Sequence, residues 1–87
     1  MADTFLLEVV TPERRYVREQ VSEAQIPGKE GYLGILPGHA ALLSELGAGD
    51  LSYTVGGHKR TLKIDGGWLE VSNDHVRVLA TTAVSPD

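Results

Sequence analysis

Apolar and polar residues alternate one by one through most of the second half of the chain. The alternation covers four segments, at residues 51–55, 61–64, 68–71 and 76–80. Because successive side chains of a β-strand point to opposite faces, this period of two predicts strands with one buried face. The segments are separated by Gly56-Gly57, Asp65-Gly66 and Asn73-Asp74. Since such pairs accept the positive φ of tight hairpin turns, the second half is predicted to be a four-stranded antiparallel meander.

The first half of the chain shows the same period less regularly. Residues 4–10 predict a strand with Phe5, Leu7 and Val9 on its buried face. Residues 15–26 fit one bent strand or two, and residues 40–46, the only helix-compatible segment, are too short to assign. Pro12 and Pro27 are expected to close the two strand segments, because proline cannot donate to a central ladder. The sequence therefore predicts an all-β fold, a flattened β-sandwich or barrel of short, mostly antiparallel strands.

Chain length and charge limit the functions that such a fold could serve. With 87 residues the chain is expected to form a single domain, 1–87, around one core. It has no cysteine, so neither a disulfide nor a thiolate metal site can support that core. The net charge of −4 argues against a nucleic-acid partner, whose phosphates attract clustered lysine and arginine. No apolar run approaches the roughly 20 residues of a membrane-spanning helix, so no transmembrane segment is expected.

One internal segment, residues 31–44, contains no Asp, Glu, Lys or Arg. Gly34 and the pair Pro37-Gly38 interrupt any regular strand within it. An uncharged, apolar, loop-rich segment is unfavourable on a free surface, so either it folds back over the core or another protein covers it. Both alternatives are compatible with the sequence, and alternate side chains could serve both. The preceding residues, 27–31, are expected to form an exposed turn, because glycine permits backbone that other residues resist.

The residue types that usually carry chemistry are present without the spacing that chemistry needs. Gly28 and Gly31 form a Gly-x-x-Gly pattern like that of RNA-binding KH modules, but the pattern around them lacks the flanking helices of such modules. His39, His58 and His75 have no spacing that would bring two of them onto one zinc ion. His39 also has no legible serine or cysteine partner. The residues therefore indicate a structural or binding domain and not an enzyme, with no metal and no cofactor.

Four motifs occur in order along nearly the whole chain. The central one is residues 26–43, Ile-Pro-Gly-Lys-Glu-Gly-Tyr-Leu-Gly-Ile-Leu-Pro-Gly-His-Ala-Ala-Leu-Leu. The others are Phe-Leu-Leu-Glu-Val-Val-Thr-Pro at 5–12, Gly-Gly-Trp-Leu-Glu-Val at 66–71 and Val-Arg-Val-Leu-Ala at 76–80. In sequence, order and spacing, the chain resembles the epsilon subunit of F-type ATP synthase.

The resemblance implies a β-sandwich of about ten strands and a non-catalytic role. Subunits of this family belong to the central stalk of the rotor and join the gamma shaft to the ring of c subunits, so that torque from proton flow reaches the catalytic head. By motif position, the resemblance implies c-ring contacts at Lys29, Glu30, Gly31 and Tyr32, and gamma-subunit contacts at His39, Ala40 and Leu42. The alternative hypothesis is a free-standing β-sandwich that binds a ligand or peptide with residues 28–43.

The same resemblance implies a location and a further domain. A subunit of this kind would be peripheral to the membrane, on the cytoplasmic face of a bacterial plasma membrane or on an equivalent energy-coupling membrane. Family members usually continue with a C-terminal helical hairpin that regulates ATP hydrolysis. Since the sequence stops at Asp87, its last few residues are expected to be the start of that helical domain.

Overall fold

The alternating segments fold into eight β-strands in a computed structural model, which describes residues 3–85. In chain order the strands are β1 (Phe5–Val10), β2 (Arg15–Val21), β3 (Glu23–Gly28), β4 (Gly31–Ile35), β5 (Leu42–Glu45), β6 (Ala48–Val55), β7 (His58–Ser72) and β8 (His75–Val84). Residues 3–85 contain no helix. The all-β fold class predicted from the sequence is therefore confirmed.

The strands belong to one sheet in the order β2-β1-β8-β7-β6-β3-β4, and β5 pairs with β7 beside this path. Paired strands are antiparallel, with the exception of β1 and β8, which run parallel. The sheet is open, since β2 and β4 are the two ends of the path. Val17 of β2 and Ile35 of β4 nevertheless belong to the same buried cluster. The sheet therefore folds over on itself into two layers, which is the arrangement of a flattened β-sandwich.

The core is formed by the apolar residues of the alternating pattern. Phe5, Leu7 and Val9 of β1 are at most 1% exposed, as the alternation predicts. Among residues 3–85 no polar or charged residue is buried, and no buried side-chain nitrogen or oxygen lacks a hydrogen bond. Any polar contact with a partner must therefore be made on the surface of the fold.

The predicted hairpin turn at Asp65-Gly66 is wrong, because β7 runs through these residues without a break. Gly66 and Gly67 have φ values of 71° and 111°, and these values bend the strand. The register with β8 is the same on both sides of the bend, at Asp65↔Thr82 and at Gly67↔Ala80. Three strands thus replace the four-stranded meander, and the described residues form eight strands where the resemblance implies about ten.

Other segments of the first half refine the predictions. Residues 15–26 belong to two strands, β2 and β3, separated by Ser22. Pro12 lies beyond the end of β1, as predicted, but Pro27 lies inside β3. Proline is tolerated there because the ladder between β3 and β6 has already ended at Gln25. Residues 42–45 form β5, because they pair with β7 instead of closing a helical turn.

The remaining predictions about chain organisation concern the C-terminus and the membrane. β8 ends at Val84, and Pro86 and Asp87 lie outside the described residues. The expected start of a helical domain therefore stays a prediction. Within residues 3–85, no helix has the length and apolar character that crossing a lipid bilayer would require.

Candidate partner-binding surfaces

The turn between β3 and β4 is the exposed tip of a hairpin, as predicted, but the exposure is confined to residues 29–31, because Pro27 is buried and Gly28 is half-buried. Gly28 pairs with Gly31, and Lys29 and Glu30 form the two-residue turn between them. Gly31 has a φ of 132°, and a Cβ atom on Gly28 would lie 2.7 Å from the Gly31 carbonyl oxygen. The hairpin therefore needs glycine at both positions. Lys29, Glu30, Gly31 and Tyr32 are all exposed to solvent.

Two backbone hydrogen bonds fasten this tip to the chain at the end of β5. The Lys29 N–H donates to the Glu45 carbonyl oxygen at 3.0 Å, and the Gly47 N–H donates to the Pro27 carbonyl oxygen at 2.9 Å. The Lys29 ammonium also lies 3.5 Å from the Glu45 carboxylate. Because the backbone is held on both sides of Gly28, the tip has a defined orientation relative to β5.

Tyr32 anchors the hairpin to β6. Its hydroxyl oxygen accepts a hydrogen bond from the Asp50 N–H at 3.0 Å. A Cβ atom on Gly49 would lie 2.5 Å from the same oxygen, so the tyrosine lies directly over the backbone of β6. Tyr32 is nevertheless 57% exposed. Its side chain therefore supports the hairpin and remains available to a partner.

The tip offers a negative charge. Lys29 is paired with Glu45, whereas Glu30 takes part in no ion pair with the other residues of the range 3–85. The carboxylate of Glu30 is at the end of the hairpin, where it is solvated. A positively charged or hydrogen-bond-donating partner surface would complement it.

The second predicted surface is the loop of residues 36–41, which joins β4 to β5. The His39 N–H donates to the Leu36 carbonyl oxygen at 3.2 Å and closes a turn around Pro37-Gly38. His39 Nδ1 lies 2.8 Å from the Ala40 carbonyl oxygen, and because a carbonyl can only accept, Nδ1 is the donor. His39 is half-buried and Ala40 is exposed. The loop thus presents an uncharged surface beside the start of β5.

Leu42 and Leu43 lie on opposite faces of β5. Leu42 packs against the core, whereas Leu43 is 69% exposed. The resemblance implies a gamma-subunit contact at Leu42, but the leucine that a partner could reach from outside is Leu43. Leu42 is half-buried, so less of its side chain is open to a partner than that of Leu43, and the contact implied for Leu42 stays a prediction.

Two further exposed apolar residues lie on the face of the sheet that carries Leu43, and the sequence did not identify them as partner contacts. Trp68 of β7 is 51% exposed, Leu79 of β8 is 38% exposed, and the two lie opposite each other in the ladder. Trp68 also pairs with Glu45, which places it on the face of β5 that carries Leu43. We call Leu43, Trp68 and Leu79 the outer apolar face. The available signal was their position in the alternation, because each occupies an outward position that usually carries a polar residue.

A surface depression of about 530 Å³ adjoins the outer apolar face. It is lined by Val10, Thr11, Pro12, Glu45, Gly67, Trp68, Leu79, Ala80 and Thr81. None of residues 28–43 takes part in it, so this depression does not support a ligand or peptide site formed by those residues. Within the described part of the chain, no group of three histidine or carboxylate side chains is placed to hold a metal ion.

A cluster of ionisable side chains surrounds Glu8 on the same face of the sheet. His75 Nε2 donates to Glu8 Oε1 at 2.6 Å, and Arg18 Nε lies 3.5 Å from Glu8 Oε2. The hydrogen bond from His75 holds the pKa of Glu8 below its ordinary value, against the opposing effect of partial burial. The positive charges of His75, Arg18 and Arg77 lower this pKa further. The cluster gives the outer apolar face a polar border, in which Arg77 is also paired with Glu70 at 3.4 Å.

Comparison with known proteins identifies the family. The family described as ATP synthase, Delta/Epsilon chain, beta-sandwich domain matches residues 4–86. The ATP synthase epsilon chain of Solibacter usitatus is 63% identical over 83 residues, which are 95% of this chain and 62% of that protein. The ATP synthase epsilon chain of Koribacter versatilis is 49% identical over 87 residues, which are 100% of this chain and 61% of that protein.

Solved structures agree with the sequence matches. A chain in the structure of Euglena gracilis mitochondrial ATP synthase, OSCP/F1/c-ring, superimposes with a TM-score of 0.89 at 26% identity, covering 98% of this chain and 55% of that one. A chain in the Tetrahymena thermophila mitochondrial ATP synthase central stalk/c-ring structure has a TM-score of 0.77 at 20% identity, which supports the fold. The present chain spans less than two thirds of the length of its curated relatives. It belongs to the family of ATP synthase delta/epsilon chain β-sandwich domains.

Proposed function

We propose that this chain is a non-catalytic part of the central stalk of an F-type ATP synthase, where it joins the gamma subunit to the c ring. Its relatives are ATP synthase epsilon chains, and it superimposes on a chain of an assembly that contains F1 and the c-ring. The proposal concerns the β-sandwich, since the matched part is 62% of the Solibacter usitatus relative. In this role the chain transmits torque and carries out no chemical step.

The observation that carries the proposal is a pair of exposed surfaces held on one rigid frame. Glu45, at the end of β5, binds the hairpin tip through the Lys29 N–H. Leu43, two residues earlier on the same short strand, belongs to the outer apolar face. β5 is itself paired along its length with β7. Because close-packed β layers yield little under load, a force applied at the tip would be transmitted to the other surface.

The two surfaces differ in the partner that each would suit. The outer apolar face exposes three large apolar side chains, and the loop of residues 36–41 beside it contains no Asp, Glu, Lys or Arg, which is typical of the core of a protein–protein interface. The carboxylates on the same face, Glu45 and Glu70, are paired with Lys29 and Arg77. We assign this surface to the gamma subunit, with Leu43 as the contact on β5 and Leu42 as its support. The hairpin tip is polar and negatively charged, and we assign Lys29, Glu30, Gly31 and Tyr32 to the c ring.

The proposed partners also define a location. A β-sandwich bound to the c ring would be peripheral to an energy-coupling membrane. In a bacterium this would be the cytoplasmic face of the plasma membrane. The relatives that support this location are the epsilon chains of Solibacter usitatus and Koribacter versatilis.

The test of the gamma-subunit surface is the substitution His39→Glu. We expect it to weaken binding to the gamma subunit by roughly tenfold or more, because a carboxylate would lose its hydration in an apolar interface. Affinity is measured with the purified chain and the gamma subunit of the same organism. His58→Glu is the matched control, since His58 is an exposed histidine at the β6–β7 turn, outside the proposed surface.

The two variants must first have the thermal stability of the wild-type chain, so that a loss of binding is not a loss of fold. Equal gamma affinity for His39→Glu and His58→Glu would show that residues 36–41 do not form the gamma-binding surface.

A further inference from the structure

Asp74 binds the loop that carries His39. The Gly38 N–H donates a hydrogen bond of 2.6 Å to Asp74 Oδ1. Gly38 has a φ of 83°, so its backbone is in the left-handed region that directs this N–H toward the β7–β8 turn. The acceptor is a carboxylate, which makes stronger hydrogen bonds to backbone N–H groups than a neutral oxygen does.

Asp74 is in turn held in place by its own backbone. It lies in the two-residue turn between β7 and β8, where Asn73 and Asp74 have φ values of 51° and 57°. These values are those of a type I′ turn, which matches the twist of the two strands. The Asp74 carbonyl oxygen accepts a hydrogen bond of 2.9 Å from the Leu6 N–H at the start of β1. The side chain therefore projects from a turn that is fixed to three strands.

The loop itself has little regular structure to hold it. Residues 36–41 lie between β4, which ends at Ile35, and β5, which begins at Leu42. Within the loop, the bonds from His39 to Leu36 and to Ala40 are local and do not attach it to the rest of the fold. The hydrogen bond to Asp74 supplies such an attachment, next to the residue that we assign to the gamma subunit.

We propose that Asp74 is a positioning residue for gamma-subunit binding, which it promotes by holding the loop of residues 36–41 in its binding conformation. This inference rests on the proposed function of the loop. A loop that is ordered before it binds loses less conformational entropy on association, so the affinity of the complex is higher. Asp74 need not touch the gamma subunit to have this effect.

The test compares three variants of the turn. Asp74→Gly removes the acceptor and keeps a residue that adopts positive φ readily. Asp74→Asn keeps an acceptor oxygen and a residue that tolerates positive φ, so it is the rescue variant. Asn73→Gly changes the neighbouring turn residue and leaves the bond to Gly38 intact. Each variant is compared with the wild-type chain for gamma-subunit affinity and for the NMR signal and hydrogen exchange of the Gly38 amide.

We expect Asp74→Gly to lower the affinity for the gamma subunit by roughly three- to tenfold, because the loop would have to be ordered on binding and part of what the hydrogen bond contributes to the free chain would then be lost from the affinity. In the free chain, the same variant should exchange the Gly38 amide proton faster and shift its resonance upfield. Asp74→Asn should have a gamma-subunit affinity and a Gly38 amide close to those of wild type. Asn73→Gly should leave the affinity and the Gly38 amide unchanged.

If Asp74→Gly releases the Gly38 amide but binds the gamma subunit as tightly as Asn73→Gly does, Asp74 has no positioning role. That result leaves the proposed function standing, provided that His39→Glu still weakens the complex. A wild-type chain that does not bind the gamma subunit at all overturns both proposals.

Discussion

At the scale of single residues, Glu8 is a side chain whose ionisation is coupled to the fold. It lies on β1 and joins two strands, because His75 belongs to β8 and Arg18 to β2. Both partners bind its charged form, and the pKa of Glu8 is accordingly lower in the folded chain than in the unfolded one. A group with a lowered folded pKa stabilises the fold where it is ionised, and this contribution disappears when it is protonated.

We therefore expect Glu8→Gln to change the acid dependence of stability. In the wild-type chain, the contribution of Glu8 is present above the ordinary carboxyl range and is lost as the pH falls through the lower folded pKa. Thermal melts are recorded from about pH 7 to about pH 3, a range that includes the ordinary pKa values of carboxyl groups. At the upper end of this range, the melting temperature of wild type should be clearly higher than that of Glu8→Gln. The difference should shrink toward the acid end.

The control for this experiment is Glu13→Gln, at an exposed carboxylate in the turn between β1 and β2. Its melting curve should follow that of the wild-type chain across the pH range. A constant offset between wild type and Glu8→Gln at every pH would mean that the ionised state of Glu8 does not matter to the fold.

At the scale of secondary structure, the longest strand of the fold depends on a glycine pair. β7 pairs with β6 before the bend and with β5 after it, and these two ladders share one register. At the bend, the Leu46 N–H donates to the Gly67 carbonyl oxygen and the Gly66 N–H donates to the Gly47 carbonyl oxygen. The glycines thus let one strand serve both layers of the sandwich without losing hydrogen bonds.

Gly67→Ala should destabilise the chain by about 2 kcal/mol or more. Gly67 has a φ of 111°, and a Cβ atom there would collide with the Leu79 carbonyl oxygen and lie 3.0 Å from the Ala80 Cα atom. Chemical denaturation measures the change in the free energy of unfolding. The matched control is Gly57→Ala, whose φ of 83° is also positive but whose surroundings are empty within 4 Å.

For Gly57→Ala, the free energy of unfolding should fall only by the cost of placing a Cβ atom at positive φ, about 1–2 kcal/mol. Equal losses at the two positions would show that the close approach of β8 to Gly67 is not a constraint on the strand.

At the scale of the whole molecule, the fold separates a charged hairpin tip from a face that exposes large apolar side chains. Glu30 is at the tip of the β3–β4 hairpin, while Leu43, Trp68 and Leu79 lie on a face of the sheet. Binding at a charged tip should depend strongly on ionic strength, and binding at a face dominated by apolar side chains should depend on it much less. The two proposed interfaces can therefore be distinguished by salt.

Glu30→Lys should loosen attachment to the c ring, most strongly at low salt, because it reverses the charge that the tip offers. The measurement is co-sedimentation of the complex of this chain and the gamma subunit with c-ring membranes, over a series of salt concentrations. Glu13→Lys makes the same change in net charge at a different turn and should be retained like the wild-type complex. If the complex with Glu30→Lys is retained as well as the wild-type complex at every salt concentration, the tip does not bind the c ring through its charge.

Much of the fold could be predicted because its signals are local. The alternation of Phe5, Leu7 and Val9 correctly predicts a strand and its buried face, and the hairpin turn between Gly28 and Gly31 follows from these two glycines. The bend in β7 could not be predicted in the same way. Gly66 has a φ of 71°, which suits a hairpin turn as well as a bend in a strand, and only the distant pairing of β7 with β8 distinguishes the two.

The candidate surfaces likewise include features that follow from neighbouring residues and features that depend on distant contacts. Residues 26–43 by themselves identify the family motif and the exposed hairpin tip. The exposure of Leu43 instead of Leu42 depends on which face of β5 meets the core. The hydrogen bond between Gly38 and Asp74 joins residues that are 36 positions apart, so it depends on the tertiary structure.

The sequence by itself determined the all-β class, the buried face of the alternating strands and the family, because period-two alternation and contiguous motifs are properties of neighbouring residues. Tertiary structure alone decided that β7 is continuous, that Trp68 and Leu79 share a face, and that the loop of residues 36–41 is bound to the β7–β8 turn. The physical reason is that hydrogen-bond partners and shared faces are set by which strands pair. That pairing depends on packing the whole chain around one core.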